Sequence, residues 1–207
     1  MLIGPAKMAQ ERSFYQQVAG LHYQGIDQGF LSSLGPEFLT LLYETIDKSP
    51  DAVLITEQHD GRVIGFVSGA SRLWPIYKGM VVRLPRLVIA LAPVLLSPPK
   101  LWRLLELLRH SVAGAKSEKN RSGVAIPDFE LLSIAVAPEA RRNGVAKRLY
   151  DALVVYVGSQ GKQGFKIVVG ETLIGAHKFY LRMGAVPQAR ACVHADTVSV
   201  VYVQKIA

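Results

Sequence analysis

The stretch VAPEARRNGVAKRLYDAL, residues 136–153, constrains the fold more than any other part of the chain. An apolar run ends at Pro138, a cationic turn follows, and Gly144 precedes a segment whose apolar residues have helical spacing. The unpaired N–H groups at the start of a helix carry partial positive charge, so Arg141 and Arg142 stand at the helix end that favours anions. The arrangement therefore predicts an anion site between a buried strand and a helix.

Strands and helices alternate around this turn. The predicted order is a strand at 128–138, a helix at 144–161, a strand at 165–171, a helix at 175–184 and two closing strands at 189–195 and 198–206. Strand, helix, strand, helix and hairpin together predict a mixed α/β sheet.

The amino-terminal part predicts two helices and a hairpin. Phe14, Val18, Leu21 and His22 follow helical spacing, and a second helix is predicted at 36–49 with Pro36 in its first turn. Asp60-Gly61 separates two apolar runs, 52–58 and 62–71, which is the strongest short-range signal of a hairpin turn.

Residues 72–127 differ in kind, because they hold most of the positive charge. Nine Lys or Arg and two Glu lie between Lys78 and Arg121, which gives 9 − 2 = +7 of the formal net charge of +8. A proline-broken apolar helix is predicted at about 84–97 and an amphipathic helix at 99–112. The segment is either a helical pair with solvated cations, or a surface that contacts an anionic membrane or guides an acidic substrate.

Several protein classes are excluded by the same sequence. The most apolar stretch, 87–99, has 13 residues and contains Pro93, whereas a membrane-spanning helix needs about 20. Charges interrupt residues 1–17 too early for a secretion signal, and the lone Cys192 can form neither an intrachain disulfide nor a cysteine metal cluster. We therefore expect a cytoplasmic protein without a transmembrane segment or metal. Basic residues with few interleaved aromatics argue against a nucleic-acid partner.

Two motifs resemble those of the GNAT family of acetyl-CoA-dependent N-acetyltransferases. Arg141–Ala146, RRNGVA, resembles the R/Q-x-x-G-x-G/A signature, and GAHKFYLRMGA at 175–185 resembles the segment A-x-x-F-Y-x-x-x-G-F. Ala185 stands in place of the usual Phe, and Leu173 stands where relatives often carry Asn. Neither a Walker motif nor a dinucleotide G-x-G-x-x-G is present.

The resemblance implies a fold and a cofactor. The expected fold is a mixed, mostly antiparallel sheet flanked by helices, in a single domain at 1–207, with the basic helical insertion of 72–127 between the third and fourth strands. Acetyl-CoA is the implied co-substrate, with its diphosphate on the amides of the turn and its pantetheine arm along a strand that splays from the next one. The implied coenzyme-binding residues are Ile134, Ala135, Val136, Arg141, Arg142, Asn143, Gly144, Val145 and Ala146.

The resemblance also implies catalytic roles. Tyr180 matches the family's usual acid, and a tyrosine with a pKa near 10 can protonate a thiolate whose usual value is about 8.5. Glu130 is the candidate general base, while His22 and Ser133 are assigned to the acceptor pocket. From the residues alone, the favoured interpretation of Tyr180 is a core aromatic, that of Glu130 a solvated acid at the edge of a strand and that of His22 a structural residue, and His177 is expected at the surface.

The predicted function is transfer of an acetyl group to a primary amine of a small molecule, amino sugar or peptide. The alternative is a non-catalytic module that binds acyl-CoA. Besides the amine substrate, the expected partners are an anionic membrane or acidic substrate at residues 78–121 and a second copy in a homodimer.

Overall fold

The computed structural model describes residues 2–3, 11–26, 30–95, 102, 126–194 and 197–206. These residues form seven strands and seven α-helices. The strands are β1 (Leu2–Ile3), β2 (Ala52–His59), β3 (Arg62–Ala70), β4 (Glu130–Val136), β5 (Gly164–Gly170), β6 (Val186–His194) and β7 (Thr197–Lys205). The helices are α1 (Arg12–Gly25), α2 (Phe30–Ser33), α3 (Pro36–Lys48), α4 (Trp74–Val82), α5 (Leu84–Leu95), α6 (Val145–Ser159) and α7 (Ile174–Arg182).

The strands form one sheet in the order β1-β2-β3-β4-β5-β7-β6. Every neighbouring pair is antiparallel except β4 and β5, which are parallel. The predicted mixed, mostly antiparallel sheet flanked by helices is therefore confirmed. The sequence analysis missed β1, because two residues are too short to show a period.

The predicted hairpin joins β2 to β3. Asp60 and Gly61 both have left-handed backbone, with φ of 48° and 75°, and His59 pairs with Arg62 across the turn. Two consecutive residues with positive φ match the twist of the flanking strands, which explains why Asp-Gly is favoured here.

Helices cover both sides of the sheet. On one side, called here the α3 side, α1, α3, α4 and α5 bury an apolar cluster that includes Leu39, Tyr43 and Phe66. On the other, called the α6 side, α6 and α7 bury a second cluster, with Leu149 and Leu153 on the inner face of α6. Side chains four apart share one face of a helix, so the helical spacing of apolar residues predicted for α6 is confirmed, whereas α3 is buried on all sides from Phe38 to Ile46.

Gly65 of β3 lets α6 lie close to the sheet. A Cβ atom at this position would stand 2.8 Å from Val145 Cγ1 and 3.0 Å from Leu149 Cδ1, nearer than such atoms approach. The first turn of α6 thus packs against the backbone of β3, and this contact sets the height of the preceding turn above the sheet.

The basic segment is described only in part. α4 and α5 lie between β3 and β4, and α5 runs through Pro93 to Leu95 instead of breaking there. Pro93 falls in the last turn of α5, where few following residues depend on the helical hydrogen bonds that a proline interrupts. The predicted helix at 99–112 lies outside the described residues except for Trp102. None of the described helices has the length and apolar character needed to cross a bilayer.

Candidate active site

The carboxyl end of β4 leads into a turn with unusual backbone. Pro138–Ala140 forms a short 3-10 turn, and the chain then passes through Arg142 and Gly144, which have φ of 66° and 75°. Gly144 is the N-cap of α6 and supplies no side chain, so no side chain caps the first N–H groups of this helix. The start of α6 therefore presents free backbone donors, as the sequence predicts for an anion site.

An open cavity of about 390 Å³ lies beside these donors. The end of β4, the turn, the start of α6 and one face of α7 line it, through Val136, Ala140, Arg141, Arg142, Gly144, Val145, Ala146, Lys147, Phe179, Arg182 and Met183. Four of these side chains are cationic. Lys147 pairs with Asp151 at 2.5 Å, whereas within the described part of the chain Arg141, Arg142 and Arg182 form no ion pair. The cavity joins concave shape, positive charge and free amides, which is a combination that suits a phosphate group.

Arg148 holds the turn in place. Its Nη1 donates to the Asn143 carbonyl at 2.8 Å, while Nε and Nη2 donate to the two carboxylate oxygens of Glu57 at 3.1 and 2.6 Å. The carboxylate raises the pKa of Arg148, and it belongs to β2 on the neighbouring part of the sheet. The Arg148 guanidinium therefore links the turn at Asn143 to Glu57 of β2 through hydrogen bonds from all three of its nitrogens.

β4 and β5 diverge beyond their first residues. They pair only at Glu130 with Lys166 and Leu131 with Ile167, although β4 continues to Val136. Between Gly69 and Ser68 the register of β3 with β4 shifts, which leaves Leu132 as an extra residue in β4. From Leu132 onward no strand among the described residues lies beside the β5-facing edge of β4. The predicted splay is thus present, and Ile134, Ala135 and Val136 lie along the open edge.

Tyr180 lies in α7, one residue after the cavity-lining Phe179. Its side chain is 6% exposed, with ring centroids 5.3 Å from Phe179, 6.1 Å from Tyr150 and 6.3 Å from Tyr202. Burial raises the pKa of its hydroxyl above the usual value, so the group stays protonated at neutral pH. Tyr180 is thus a buried aromatic residue whose hydroxyl stays protonated and can act as a proton donor. Its catalytic role stays a prediction.

His177 is half-buried, and its ring is hydrogen-bonded on both sides, which a solvated surface histidine would not require. Its Nε2 lies 3.1 Å from the Gly170 carbonyl and its Nδ1 lies 2.8 Å from the Tyr202 hydroxyl. Since a carbonyl only accepts, Nε2 carries the proton and Nδ1 accepts from Tyr202. The ring links α7 to β5 and β7, a contact that helical spacing alone does not show.

His22 and Ser133, both assigned from the sequence to the acceptor pocket, meet through Tyr43. Nδ1 of His22 lies 2.5 Å from the Tyr43 hydroxyl, and that hydroxyl is also within hydrogen-bonding range of the Ser133 side chain. His22 is 2% exposed, and burial lowers its pKa to about 4, so the ring is neutral at pH 7. Its Nε2 is buried without a partner among the described residues. The three side chains connect α1, α3 and β4 beneath the surface of the α3 side.

Glu130 lies at the closed end of the wedge. Its carboxylate is 3.5 Å from the Lys166 ammonium, across the short paired stretch of β4 and β5. At about 3.3 Å per residue, Glu130 is roughly 20 Å along the strand from Val136 and the turn. The structure therefore places the predicted base and the predicted anion site at opposite ends of β4, with the open edge between them.

The sequence analysis missed three side chains that define this region: Tyr43, Arg148 and Arg182. Tyr43 and Arg148 act through partners far away in sequence, and Arg182 reaches the cavity only because α7 folds beside the turn. Arg182 alone left a signal, since it is the basic residue in the last turn of α7.

The described residues contain no cluster of His, Cys, Asp or Glu that could hold a metal ion. The cavity and the wedge are two features of the described residues that can receive an organic ligand.

Comparison with known proteins relates these features to a family. The family model of the GNAT acetyltransferases matches residues 106–185, which include the turn, α6, β5 and α7. No curated protein sequence matches the chain significantly.

Solved structures match over the whole chain. An N-acetyltransferase from Staphylococcus aureus Mu50 has a TM-score of 0.60 at 12% identity, with 100% of this chain and 98% of that chain covered. An aminoglycoside 6′-N-acetyltransferase complexed with coenzyme A gives 0.60 at 11%, covering 100% and 97%. The ribosomal-protein-S18-alanine N-acetyltransferase from Escherichia coli gives 0.57 at 10%, covering 100% and 95%. At these identities the likeness is one of fold.

Proposed function

We propose that this chain is an acetyltransferase of the GNAT family, whose model matches residues 106–185, and that it transfers an acetyl group from acetyl-CoA to a primary amine. The observation that carries the proposal is the uncapped start of α6 beside a cavity with four cationic side chains. A diphosphate needs several N–H donors and positive charge at one place, and both are present there. One solved structure with this fold is a complex with coenzyme A.

The residues of the turn fit such a group closely. With φ of 75°, Gly144 adopts a conformation that side chains disfavour, and a Cβ atom there would lie 3.1 Å from Arg148 Nη1. A glycine thus leaves room for a phosphate to approach the backbone. The amides of Arg142 to Ala146 would hold the diphosphate, and Arg141, Arg142 and Arg182 would neutralise its charge.

The open edge of β4 supports the position of the pantetheine arm. Backbone N–H and C=O groups of Ser133 to Val136 on the β5 side have no strand partner, because β5 has already diverged. The two amides of a pantetheine arm can hydrogen-bond to such strand groups, although the Val136 carbonyl also accepts from Arg141 Nε at 3.4 Å. The arm would run from the turn at Val136 toward Leu131, where the wedge closes.

Acetyl-CoA supplies an activated thioester, and the chain must move two protons around it. The acceptor amine has to lose a proton before it attacks, and the thiolate that leaves has to gain one. Tyr180 keeps its proton because it is buried, and it would donate to the leaving sulfur. Glu130, held beside Lys166 at the closed end of the wedge, would accept the proton of the amine through water.

The acceptor is proposed as a primary amine of a small molecule, amino sugar or peptide. The solved relatives include enzymes for an aminoglycoside and for an alanine of a ribosomal protein, so the shared fold serves acceptors of different size. His22, Tyr43 and Ser133 would shape the acceptor side of β4 from the α3 side of the sheet.

A thiol-release assay with acetyl-CoA tests the proposal on a panel of amino sugars, polyamines, amino acids and peptide amino termini. We expect turnover with at least one class, and a fall in kcat of about a hundredfold in Tyr180→Phe, as for loss of a general acid. Tyr150→Phe is the matched control. Its ring packs beside Tyr180 but its hydroxyl bonds to Gln204, so the thermal stability should fall while kcat stays.

Two results would contradict the proposal. Binding of coenzyme A without turnover on the whole panel would leave a non-catalytic acyl-CoA-binding module. Equal kcat in Tyr180→Phe and the unaltered enzyme would remove Tyr180 from the chemistry.

A further inference from the structure

The outward surface of α4 and α5 exposes an unusual amount of apolar side chain. We call the α4–α5 face the set of exposed residues Trp74, Tyr77, Val81, Val82, Leu84, Val88 and Ile89. Trp74, Tyr77 and Val81 follow each other at steps of three and four on α4, and Leu84 and Val88 lie four apart on α5, so each helix carries an exposed apolar stripe. Single exposed apolar residues are normal in soluble proteins, but exposed stripes on two consecutive helices mark an interaction site.

The opposite surface of the same helices is already buried. Ile76, Met80 and Ala90 pack into the apolar cluster on the α3 side of the sheet. The pair α4 and α5 therefore carries apolar side chains on its inner and on its outer surface, with Lys78 and Arg86 between them. A helix with apolar side chains on two faces is typical of one that is covered on both.

Charge decides what kind of partner fits this face. Residues 73–95 contain Lys78, Arg83 and Arg86 and no acidic residue. Arg86 lies 2.9 Å from Glu44, and Arg83 lies 3.3 Å from the Thr45 hydroxyl, while Lys78 is exposed beside the α4 stripe. The sequence from Lys78 to Arg121 holds nine cations and two acids, so the whole segment repels a second copy placed face to face. The complementary partner is apolar and anionic.

The lengths of α4 and α5 decide whether they cross an apolar, anionic layer or lie along its surface. α4 has 9 residues and α5 has 12, whereas a bilayer-spanning helix needs about 20. Short apolar helices with flanking cations lie in the interface plane of a bilayer, with aromatic residues at the level of the headgroups. Trp74 and Tyr77 stand at the start of the α4 stripe, where they can take that place.

We propose that the α4–α5 face is a docking surface for an anionic phospholipid bilayer. The exposed apolar side chains of this face enter the boundary between headgroups and acyl chains, and the exposed Lys78 meets the lipid phosphates. The docked face borders the closed end of the wedge, since the Glu130 carboxylate is near enough to Tyr77 to add to the rise in its pKa that burial causes. Docking is independent of the transferase activity and can be measured without it.

Vesicle flotation with the full-length protein tests the proposal. Vesicles of equimolar phosphatidylglycerol and phosphatidylcholine should carry the protein, and vesicles of phosphatidylcholine alone should not. Binding should weaken between about 0.1 M and about 1 M salt, where the Debye length falls from roughly 10 Å to roughly 3 Å. The double variant Val82→Glu, Ile89→Glu should lose about tenfold or more in partitioning, because it puts two carboxylates into the α4–α5 face.

Val155→Glu is the matched control. Val155 is 71% exposed on α6, as Ile89 is on α5, and Val82 is 77% exposed, so none of the three substitutions enters the core. The control should float like the unaltered protein. Coenzyme A binding, followed by the shift in melting temperature, should be equal in all three proteins and reports separately on the proposed function.

Three outcomes would overturn the proposal. The first is the absence of binding to phosphatidylglycerol vesicles, and the second is equal binding by the double variant and the control. The third is a dimer that the double variant dissociates while the unaltered protein does not bind vesicles, which would assign the face to a second copy of the chain.

Discussion

The two sides of the sheet both gather cations, but they place them in opposite surroundings. On the α6 side, Arg141, Arg142 and Arg182 line a concave cavity next to the free N–H groups that begin α6. On the α3 side, Lys78 and Arg83 lie on α4 and at its end, beside exposed apolar side chains. The two regions are alike only in that both carry positive charge. They differ in shape, in the presence of free backbone N–H groups and in the amount of exposed apolar surface.

The difference teaches how a positive surface selects its ligand. A cavity with backbone donors binds a small group that can accept several hydrogen bonds at once, such as a diphosphate. A convex apolar face with cations along it has no place for such a group and suits a broad anionic surface. Substitutions on one side should therefore leave the binding at the other side unchanged.

Gly144→Glu is expected to have the largest effect and to break the α6 side alone. Hydrogen bonds to charged groups contribute roughly 1.5–3 kcal/mol each, so losing two of them weakens coenzyme A binding by about a thousandfold. The added carboxylate also repels the phosphates, and the left-handed φ of 75° strains any side chain there. Isothermal titration with coenzyme A measures the loss, and vesicle flotation should not change.

Gly161→Glu is the control for that strain. Gly161 has a φ of 70° and nothing within 4 Å of its Cβ position, in the turn that follows α6. The same backbone penalty is thus imposed far from the cavity. If Gly161→Glu weakened coenzyme A binding as much as Gly144→Glu, the turn after β4 would not be the anion site.

His22 offers a test of the α3 side through pH. Its folded pKa of about 4 lies below the usual value near 6.5, so the unfolded chain binds the proton more readily. The stabilisation is complete above about pH 6.5 and is lost as the pH falls toward 4, by roughly 2–3 kcal/mol. His22→Gln can still bond to Tyr43 but cannot titrate, so its free energy of unfolding should fall less steeply in this range.

His59→Gln controls for the loss of a histidine, because His59 is exposed in the hairpin. Denaturant unfolding at several pH values between 4 and 7 gives the slopes. Parallel slopes for His22→Gln and the unaltered protein would show that the buried ring does not titrate below its usual range.

Arg148→Gln tests whether the α6 side depends on a well-fixed turn, because it removes the hydrogen bonds that hold the turn but no residue that lines the cavity. The fork to Glu57 and the bond to the Asn143 carbonyl are both lost. A turn that is less well fixed loses more conformational entropy when the ligand binds. KM for acetyl-CoA should therefore rise about fivefold while kcat changes little. Arg12→Gln removes the exposed ion pair with Glu37 and should leave KM unchanged. Equal KM values in all three enzymes would contradict the anchoring role.

Arg182→Gln should give the smallest effect. Arg182 adds long-range charge to the cavity, so the affinity for coenzyme A should fall about threefold at low salt and by less at high salt. Lys178→Gln changes the same charge on an exposed position of α7 outside the cavity lining and is the matched control. A loss in the control as large as that in Arg182→Gln would mean that net charge alone attracts the ligand.

Local chemistry accounts for what the sequence predicted well. Asp60-Gly61 fixes the hairpin because both residues tolerate positive φ. The strand, turn and helix around Gly144 follow from a proline, a glycine and a change of hydrophobic period within a few residues. The order of the later elements then implies the sheet.

Contacts between distant residues account for what was missed. Arg148 and Glu57 lie 91 positions apart, and nothing in the spacing of either residue shows that they pair. Tyr43 joins His22 to Ser133 only after α1, α3 and β4 have packed together. His177 was expected at the surface because helical spacing does not show that Tyr202 and the Gly170 carbonyl come to its ring.

The missing side chain at Gly65 has a consequence for ligand affinity. Because the first turn of α6 packs against the bare backbone of β3, a methyl group at position 65 would force Val145 and Leu149 to shift. We expect this shift to move the proposed phosphate site at residues 142–146 and to weaken its affinity, although no residue of the turn is changed.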